Sequence, residues 1–202
     1  MKIDIEKSYY HVYIRGHSGQ AIFRDDDDYI YFLSLFGRYL SVESQTDSYG
    51  KQYRHLRGEI EIISYCLLAN EFHLLIHQTE QGAMSKLMKS VLTAYSRYFN
   101  KKYLTSGSLF ESRYKASRIA TNKSLLHISR YIHLASGDWQ AHPYSSIHAY
   151  FGIGQSDWLQ QDRLVDLFPS LPHYADFLDN SSDYEKSLLH IAEELANSNI
   201  IK

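Results

Sequence analysis

Residues 59–77 read EIEIISYCLLANEFHLLIH. Two apolar runs rich in β-forming types, 59–68 and 72–77, stand on either side of the tight break ANE, and this pattern predicts two adjacent strands. The runs must be buried, and the segments flanking them are helical in period. Tyr29–Leu40 follows a run of four aspartates, Asp25–Asp28, which reads as an N-cap with favourable charge at a helix N-terminus. On the other side Met84, Leu87, Met88, Val91, Leu92, Tyr95 and Phe99 recur at three or four. Within the second strand, alternation sets Glu71 and His73 on one face, with Phe72 and Leu74 on the other. A carboxylate and an imidazole so placed can grip one divalent ion, and the oxygen–nitrogen pair suits magnesium or manganese better than zinc. A hydrogen-bonded structural histidine has the same spacing, and the pair alone does not choose.

The rest of the chain extends this pattern. YYHVYIR (9–15) alternates as a strand, and Gly16–Gly19 reads as a turn. Residues 41–58 are polar and irregular, a loop or hairpin tip. LFESRYKASRIA (109–120) reads as one or two short strands, and Thr121 or Asn122 caps a helix through LLHISRYIHL. Beyond Pro143 come aromatic pieces and a polar amphipathic stretch near 183–196, a helical, peripheral tail. The order strand–helix–strand–strand–helix–strand–helix implies an α+β sandwich with one antiparallel sheet over residues 1–152, and a mainly helical C-terminal extension over 153–202.

Charge is unevenly spread. The formal net charge is −2, yet Lys86–Arg118 holds eight basic residues and only Glu111 as an acid, while Asp157–Lys202 holds nine acids and three bases. A basic segment interleaved with Tyr95, Tyr98, Tyr103 and Tyr114 suits a phosphate backbone and stacked bases; a solvated helix face has the same composition. No run of about 18 apolar residues is present to span a membrane, and MKIDIEKSYY is not a signal peptide. The single cysteine, Cys66, lies in an apolar run and reads as a buried thiol. These features point to a cytoplasmic protein.

Four blocks, YYHVYIRGHSGQAIFRDDDDY, YCLLANEFHLLIH, GSLFESRYKAS and SRYIHL, occur in the order and spacing of the REP-associated and insertion-sequence single-tyrosine transposases. The chain resembles that family, of the HUH endonuclease superfamily, over about residues 8–152. The resemblance implies a ferredoxin-like antiparallel sheet flanked by helices, a homodimer, Mg2+ or Mn2+ as cofactor, and single-stranded or hairpin DNA as partner. It also implies that Tyr131 is the nucleophile that attacks a DNA phosphate, with His73 a metal ligand. The family's other histidine corresponds to Glu71 and its proline to Ala69. The asparagine and proline that follow its YIHL correspond to Ala135 and Ser136. The chain therefore keeps the nucleophile and one histidine, exchanges one ligand and lacks another.

Arg15, Phe110, Arg113, Tyr114, Lys115 and Arg118 match positions expected to hold DNA. His127, one turn before Tyr131, and His133 are accessory candidates for metal or substrate. Three functions follow as alternatives: a metal-dependent single-strand DNA endonuclease and strand transferase, a degenerate relative that binds hairpin or single-stranded DNA without cutting, and an RNA-binding module on a similar sheet.

Overall fold

The computed structural model describes residues 5–154 and 156–180, together with Leu188 and Ile191. The alternation in YYHVYIR becomes β1 (Ser8–Arg15), which buries Tyr10, Val12 and Ile14 on one face. β2 (Ile60–Leu68) and β3 (Glu71–Gln78) pair as a hairpin that turns at Ala69 and Asn70, and β4 (Lys115–Ile119) completes a sheet of order β2-β3-β1-β4. Every pairing is antiparallel. With α1 (Asp26–Leu40), α2 (Ala83–Tyr103) and α3 (Asn122–Leu134), the chain runs β1-α1-β2-β3-α2-β4-α3. This is the expected ferredoxin-like α+β arrangement.

Side-chain alternation divides the interior into two cores. Phe72, Leu74 and Ile76 of β3 face α1 and α2, joining Phe32, Leu35, Leu87 and Val91. Leu75 faces the other way, into a cluster with Leu125, Ile128 and Ile132 of α3. The sheet thus lies between α1/α2 and α3, and each fully buried aliphatic side chain contributes roughly 1.5–3 kcal/mol.

Caps and clasps set the helix ends. Thr121 caps α3, its side chain accepting from the Ser124 N–H. Asp25 caps α1, accepting from the Asp28 N–H. Asp28 is wholly buried and accepts from the Arg24 N–H, from Lys102 Nζ at 2.9 Å and from Tyr103 Oη at 2.8 Å. The aspartate run thus begins α1 and ties it to the end of α2.

Two segments differ from expectation. Only Lys115–Ile119 of 109–120 is a strand; Phe110 bridges Gly16, and Tyr114 turns into the core instead of joining the ladder. Beyond 152, the described residues form α5 (Asp162–Val165) and α6 (Leu171–Asp179), after α4 (Ile147–Tyr150). Trp158 enters the first core, and Leu164, Tyr174, Leu178 and Ile191 enter the second. The outer edge of β2 is covered through Leu67 N–H to Tyr144 O, Ser146 N–H to Tyr65 O and Gln160 N–H to Ile62 O. Apart from Leu188 and Ile191, the amphipathic stretch expected near 183–196 lies outside the described residues.

Two stability predictions follow. Leu104, 93% exposed, ends α2 in the left-handed region at φ 53, where a Cβ is strained and glycine is favoured. Leu104→Gly is expected to stabilise the protein by about 0.5–1 kcal/mol after the entropy cost of glycine, measured by urea unfolding. His133 is fully buried, and burial pushes its imidazole down to about 3. The unfolded chain therefore binds a proton here that the folded chain refuses. The stability contribution is complete above about pH 6.5 and is lost as pH falls, at up to about 1.4 kcal/mol per unit. His133→Gln is expected to flatten the stability slope between pH 6.5 and 5 by about one proton, read from unfolding curves across that range.

Candidate active site

Register brings the chemistry together. β1 and β3 pair with Tyr13 opposite His73 and Arg15 opposite Glu71, and His11 lies opposite Leu75. The period of two then sets His11, Tyr13 and Arg15 beside Glu71 and His73, on the face away from α1 and α2. Lys115 of β4, opposite Tyr13, joins them, its Nζ 5.5 Å from the centre of the Tyr13 ring. Gly16 makes the exit from β1 possible, since a Cβ there would lie 2.1 Å from the Gln20 carbonyl oxygen.

Helix α3 crosses this face. Leu125, Ile128 and Ile132 anchor it on Leu75, Ile63 and Ile119, and the helix presents Tyr131 to the histidines. The Tyr131 ring meets His73 edge-on at 5.3 Å between centroids and His11 at 5.8 Å. Tyr131 is half-buried. The hydrogen bond and then the charge of Glu71 raise the Arg15 pKa against the opposing effect of burial.

Four side chains form a continuous hydrogen-bonded row. His11 Nε2 lies 3.1 Å from His73 Nδ1, His73 Nε2 lies 3.4 Å from Glu71 Oε1, and Arg15 Nε donates to Glu71 Oε2. The hydrogen bond from His73, then its charge and those from Arg15, hold the Glu71 carboxyl down at about 2 against the opposing effect of burial. Burial, reinforced by His73, pushes the His11 imidazole well below its ordinary value.

This row fits a hard cation as far as two ligands go. Glu71 Oε1 and His73 Nε2 lie 3.4 Å apart, near the roughly 3 Å between neighbouring ligands around an octahedral ion with bonds of about 2.1 Å. Arg15 on the far carboxylate oxygen and His11 on the far ring nitrogen orient both donors from behind. Among the described residues a third protein ligand is lacking. Ala135 ends α3 without a donor atom, and the described residues contain no group of three or more His, Cys, Asp or Glu able to hold a metal.

The other expected residues divide. Arg15, with a side chain 62% exposed, opens to solvent at the cluster. Arg113 is exposed, on the loop before β4. Arg118 is exposed too, but alternation along β4 turns it away from the Lys115 face. Two expectations are corrected. Phe110 and Tyr114 are core residues, and Tyr114 Oη pairs with Ser85 Oγ at 3.2 Å, so neither is presented to DNA. His133 also turns inward, its two nitrogens 2.5 Å from Tyr174 Oη and 2.8 Å from Ser146 Oγ; it joins α3 to the C-terminal segments. His127 packs near Phe177, with centroids 6.5 Å apart. Cys66 is buried, which pushes its thiol up to about 12. His11 was not singled out by sequence reading. Its signal was the alternation of YYHVYIR, which puts it on the Arg15 face; the pairing with β3 was not visible.

A second feature lies behind the sheet. Between α1 and α2 a groove of about 700 Å³ is lined by Arg38, Lys89, Arg97 and Lys101 with Tyr31 and Tyr98, and by no acidic side chain. Lys89, Arg97 and Lys101 fall on one ridge of α2 at multiples of four residues. Tyr31 stacks on Tyr98 at 4.0 Å, and the Arg38 guanidinium lies 4.6 Å over the Tyr53 ring.

Comparison with known proteins bears on this geometry. Residues 42–135, which contain Glu71, His73 and Tyr131, match the family model described as "Transposase IS200 like". Among solved structures, a REP-associated tyrosine transposase bound to a REP hairpin superposes with a TM-score of 0.53 at 12% identity, covering 79% of this chain and 90% of that one. At that identity the likeness is one of fold. No curated protein matches the chain. Over residues 42–135 the chain is thus similar to the IS200-like transposases, and it shares its fold with a REP-associated tyrosine transposase.

Proposed function

We propose that this chain is a metal-dependent single-strand DNA endonuclease and strand transferase that nicks and rejoins single-stranded or hairpin DNA through Tyr131. The observation that carries the reading is the approach of the Tyr131 ring to His73 within a cluster that also holds Glu71 and Arg15. A phenol beside a guanidinium and two adjacent ligand atoms is equipped to attack a phosphodiester. The Tyr131 oxygen bonds to phosphorus, the bond to the 3′ oxygen breaks, and the phenol proton passes through solvent to the departing 3′ hydroxyl. The ester left on Tyr131 conserves the phosphodiester's energy for rejoining. Arg15 faces the negative charge that develops on phosphate. A divalent cation, Mg2+ or Mn2+, held by Glu71 and His73, supplies Lewis acidity at the phosphate oxygens when bound. Residues 1–152 carry this chemistry, and the described residues of the 153–202 extension brace the sheet through Gln160, Leu164 and Tyr174.

The DNA partner has independent support. The transposase that shares this fold is bound to a REP hairpin, and the α1/α2 groove combines cations with stacking rings and no acid. Phosphates held there leave the Tyr131 face for the strand being cut, with Arg113 and Lys115 along its route. A homodimer fits the sheet, because β2 is covered by 144–146 and 160 and β4 is the edge left for pairing. No described helix is long and apolar enough to cross a membrane, in keeping with action on DNA in the cytoplasm. A second reading, binding without cutting, is favoured by the missing donor at Ala135.

One experiment decides between these readings, and a second tests the groove. A labelled single-stranded hairpin incubated with the protein and Mn2+ or Mg2+ is expected to yield a covalent protein–DNA band. Tyr131→Phe should abolish the band while DNA affinity stays within about twofold. A band in that variant sinks the nucleophile assignment, and binding without a band for the unaltered protein under either ion selects the second reading. Replacing Lys89, Arg97 and Lys101 together by Ala should weaken hairpin binding at low salt and reduce the slope of log K against log [salt] by about 2–3. Fluorescence anisotropy over a salt series measures both, and an unchanged slope removes the groove from the DNA path.

A further inference from the structure

Beyond the end of β1 lies a pocket that the proposed reaction does not use. It holds about 360 Å³, toward the lower end of the roughly 300–1,000 Å³ of small-molecule sites. Its floor is apolar, made by Phe99 of α2 and by Leu109, both buried. Its walls are amides, hydroxyls and the His17 imidazole, and no Lys, Arg, Asp or Glu lines it. The pocket therefore lacks the charge that would hold a phosphate, in contrast to the α1/α2 groove. An apolar floor under polar walls suits a flat, uncharged ring.

The walls lean toward accepting. Thr105 Oγ1 donates to Asn100 Oδ1 at 3.0 Å, and Ser108 Oγ donates to the Phe110 carbonyl. Each hydroxyl has one proton and has spent it, so toward a ligand both can only accept. Gln20 Nε2 donates to Leu109 O at 3.1 Å, which leaves Oε1 to accept, and Asn100 Nδ2 donates to Gly107 O at 3.2 Å. A backbone carbonyl only accepts, so these two contacts fix which side of each amide carries hydrogen. The pocket also adjoins the C-terminal end of α2, where carbonyls outnumber their partners and the helix dipole is negative. A ligand that brings donors is favoured.

Its place in the fold says where that ligand comes from. On α2, Asn100 of the pocket is followed by Lys101 of the groove. On the other side, His17 N–H donates to Leu109 O and Glu111 N–H to Arg15 O. The pocket wall at His17 is two residues beyond Arg15, at most about 7 Å between α-carbons. A strand running from the groove to Arg15 and Tyr131 has the pocket on its way.

We propose that this pocket captures one unpaired, amino-bearing base (adenine, cytosine or guanine) of a DNA strand running from the α1/α2 groove to the Tyr131 face. This rests on the reading of the chain as a binder of single-stranded or hairpin DNA, and it holds whether or not Tyr131 cuts. The base lies on Phe99 and Leu109, and its amino group donates to the wall oxygens of Gln20, Thr105 and Ser108. Thymine has no amino group, only carbonyl oxygens and a methyl at the groove edges, and it leaves those acceptors unmet. Phosphate contacts in the groove supply affinity without sequence, and the pocket sets the register of the strand. It thereby selects which phosphate reaches Tyr131.

Fluorescence anisotropy of the full chain tests this, with a labelled hairpin carrying a short single-stranded flank of thymines, at low salt and without a divalent ion. One adenine, cytosine or guanine is walked through the flank. Affinity is expected to rise about fivefold or more when the substituted base stands at one position, and not at the others. Gln20→Leu removes an acceptor, and Ser106→Leu crowds the pocket from an exposed position. Each should bring that oligonucleotide down to the affinity of the all-thymine flank, with thermal unfolding showing that the variant is folded; either variant suffices for the test. Equal affinity at every position overturns the pocket and leaves the groove standing. A positional preference that persists in a folded variant also overturns it, because the base is then read elsewhere. If neither the thymine nor the substituted hairpins bind, the DNA reading itself falls, and the pocket's assignment falls with it.

Discussion

The pairing of β1 with β3 is the constraint on which the site depends. Neither strand carries the cluster alone. β3 supplies Glu71 and His73, and β1 supplies Arg15 and His11. Because side chains alternate, a slip of one residue would send Arg15 and His11 to the α1/α2 side and bury charge among Phe32, Leu35 and Val91. The apolar halves of the two strands forbid that slip. Tyr10, Val12 and Ile14 match Ile76, Leu74 and Phe72 across the ladder, and all six enter the first core. The same hydrophobic burial that stabilises the sheet fixes which polar groups meet on its reverse.

That reverse face would be open without α3. The helix is held by Leu125, Ile128 and Ile132, and by His133, whose two nitrogens tie it to Ser146 and Tyr174. His133 and Tyr131 are two residues apart on one helix and take opposite tasks. One faces inward and locks the helix to the C-terminal segments, and the other meets the histidines of the sheet. Segments beyond Pro143 therefore bear on the site indirectly, by fixing the helix that carries the phenol.

Glu71 and His73 were recognisable as a pair because strand alternation is local, and Tyr131 because its block stands in order with three others. The four-block order also implied the sheet topology. What local reading could not supply was the partner across a ladder. Arg15 was read as a DNA contact, and its attachment to Glu71 appears only when residues 56 apart in sequence are paired. His11 was hidden for the same reason. Phe110 and Tyr114 were drawn into the DNA set by the match of their block to the family's basic block, although a Phe and a Tyr in a short chain segment beside a core are as readily packing residues. The structure buries both. Lys89, Arg97 and Lys101 were visible as charge but not as a groove, because that required the α1 tyrosines to stand opposite them.

A carboxylate is an awkward group to set beside a phosphate, and the surroundings of Glu71 show how the fold accommodates it. Two like charges brought to about 4 Å repel by several kcal/mol when partly screened from water. Glu71 meets a donor at each oxygen, Arg15 at one and His73 at the other, so its charge is largely neutralised before DNA arrives. The Arg15 guanidinium is wide enough to keep one N–H on Glu71 while turning others outward, and its exposed side chain lies where a phosphate would approach. In the proposed reaction the exchange of imidazole for carboxylate is therefore coupled to Arg15. The arginine offsets the charge that the carboxylate adds, and the carboxylate in turn holds the arginine at the mouth of the site. Removing either one leaves the other wrong for a polyanion: an unpaired carboxylate repels it, and an untethered arginine no longer marks where its phosphate belongs.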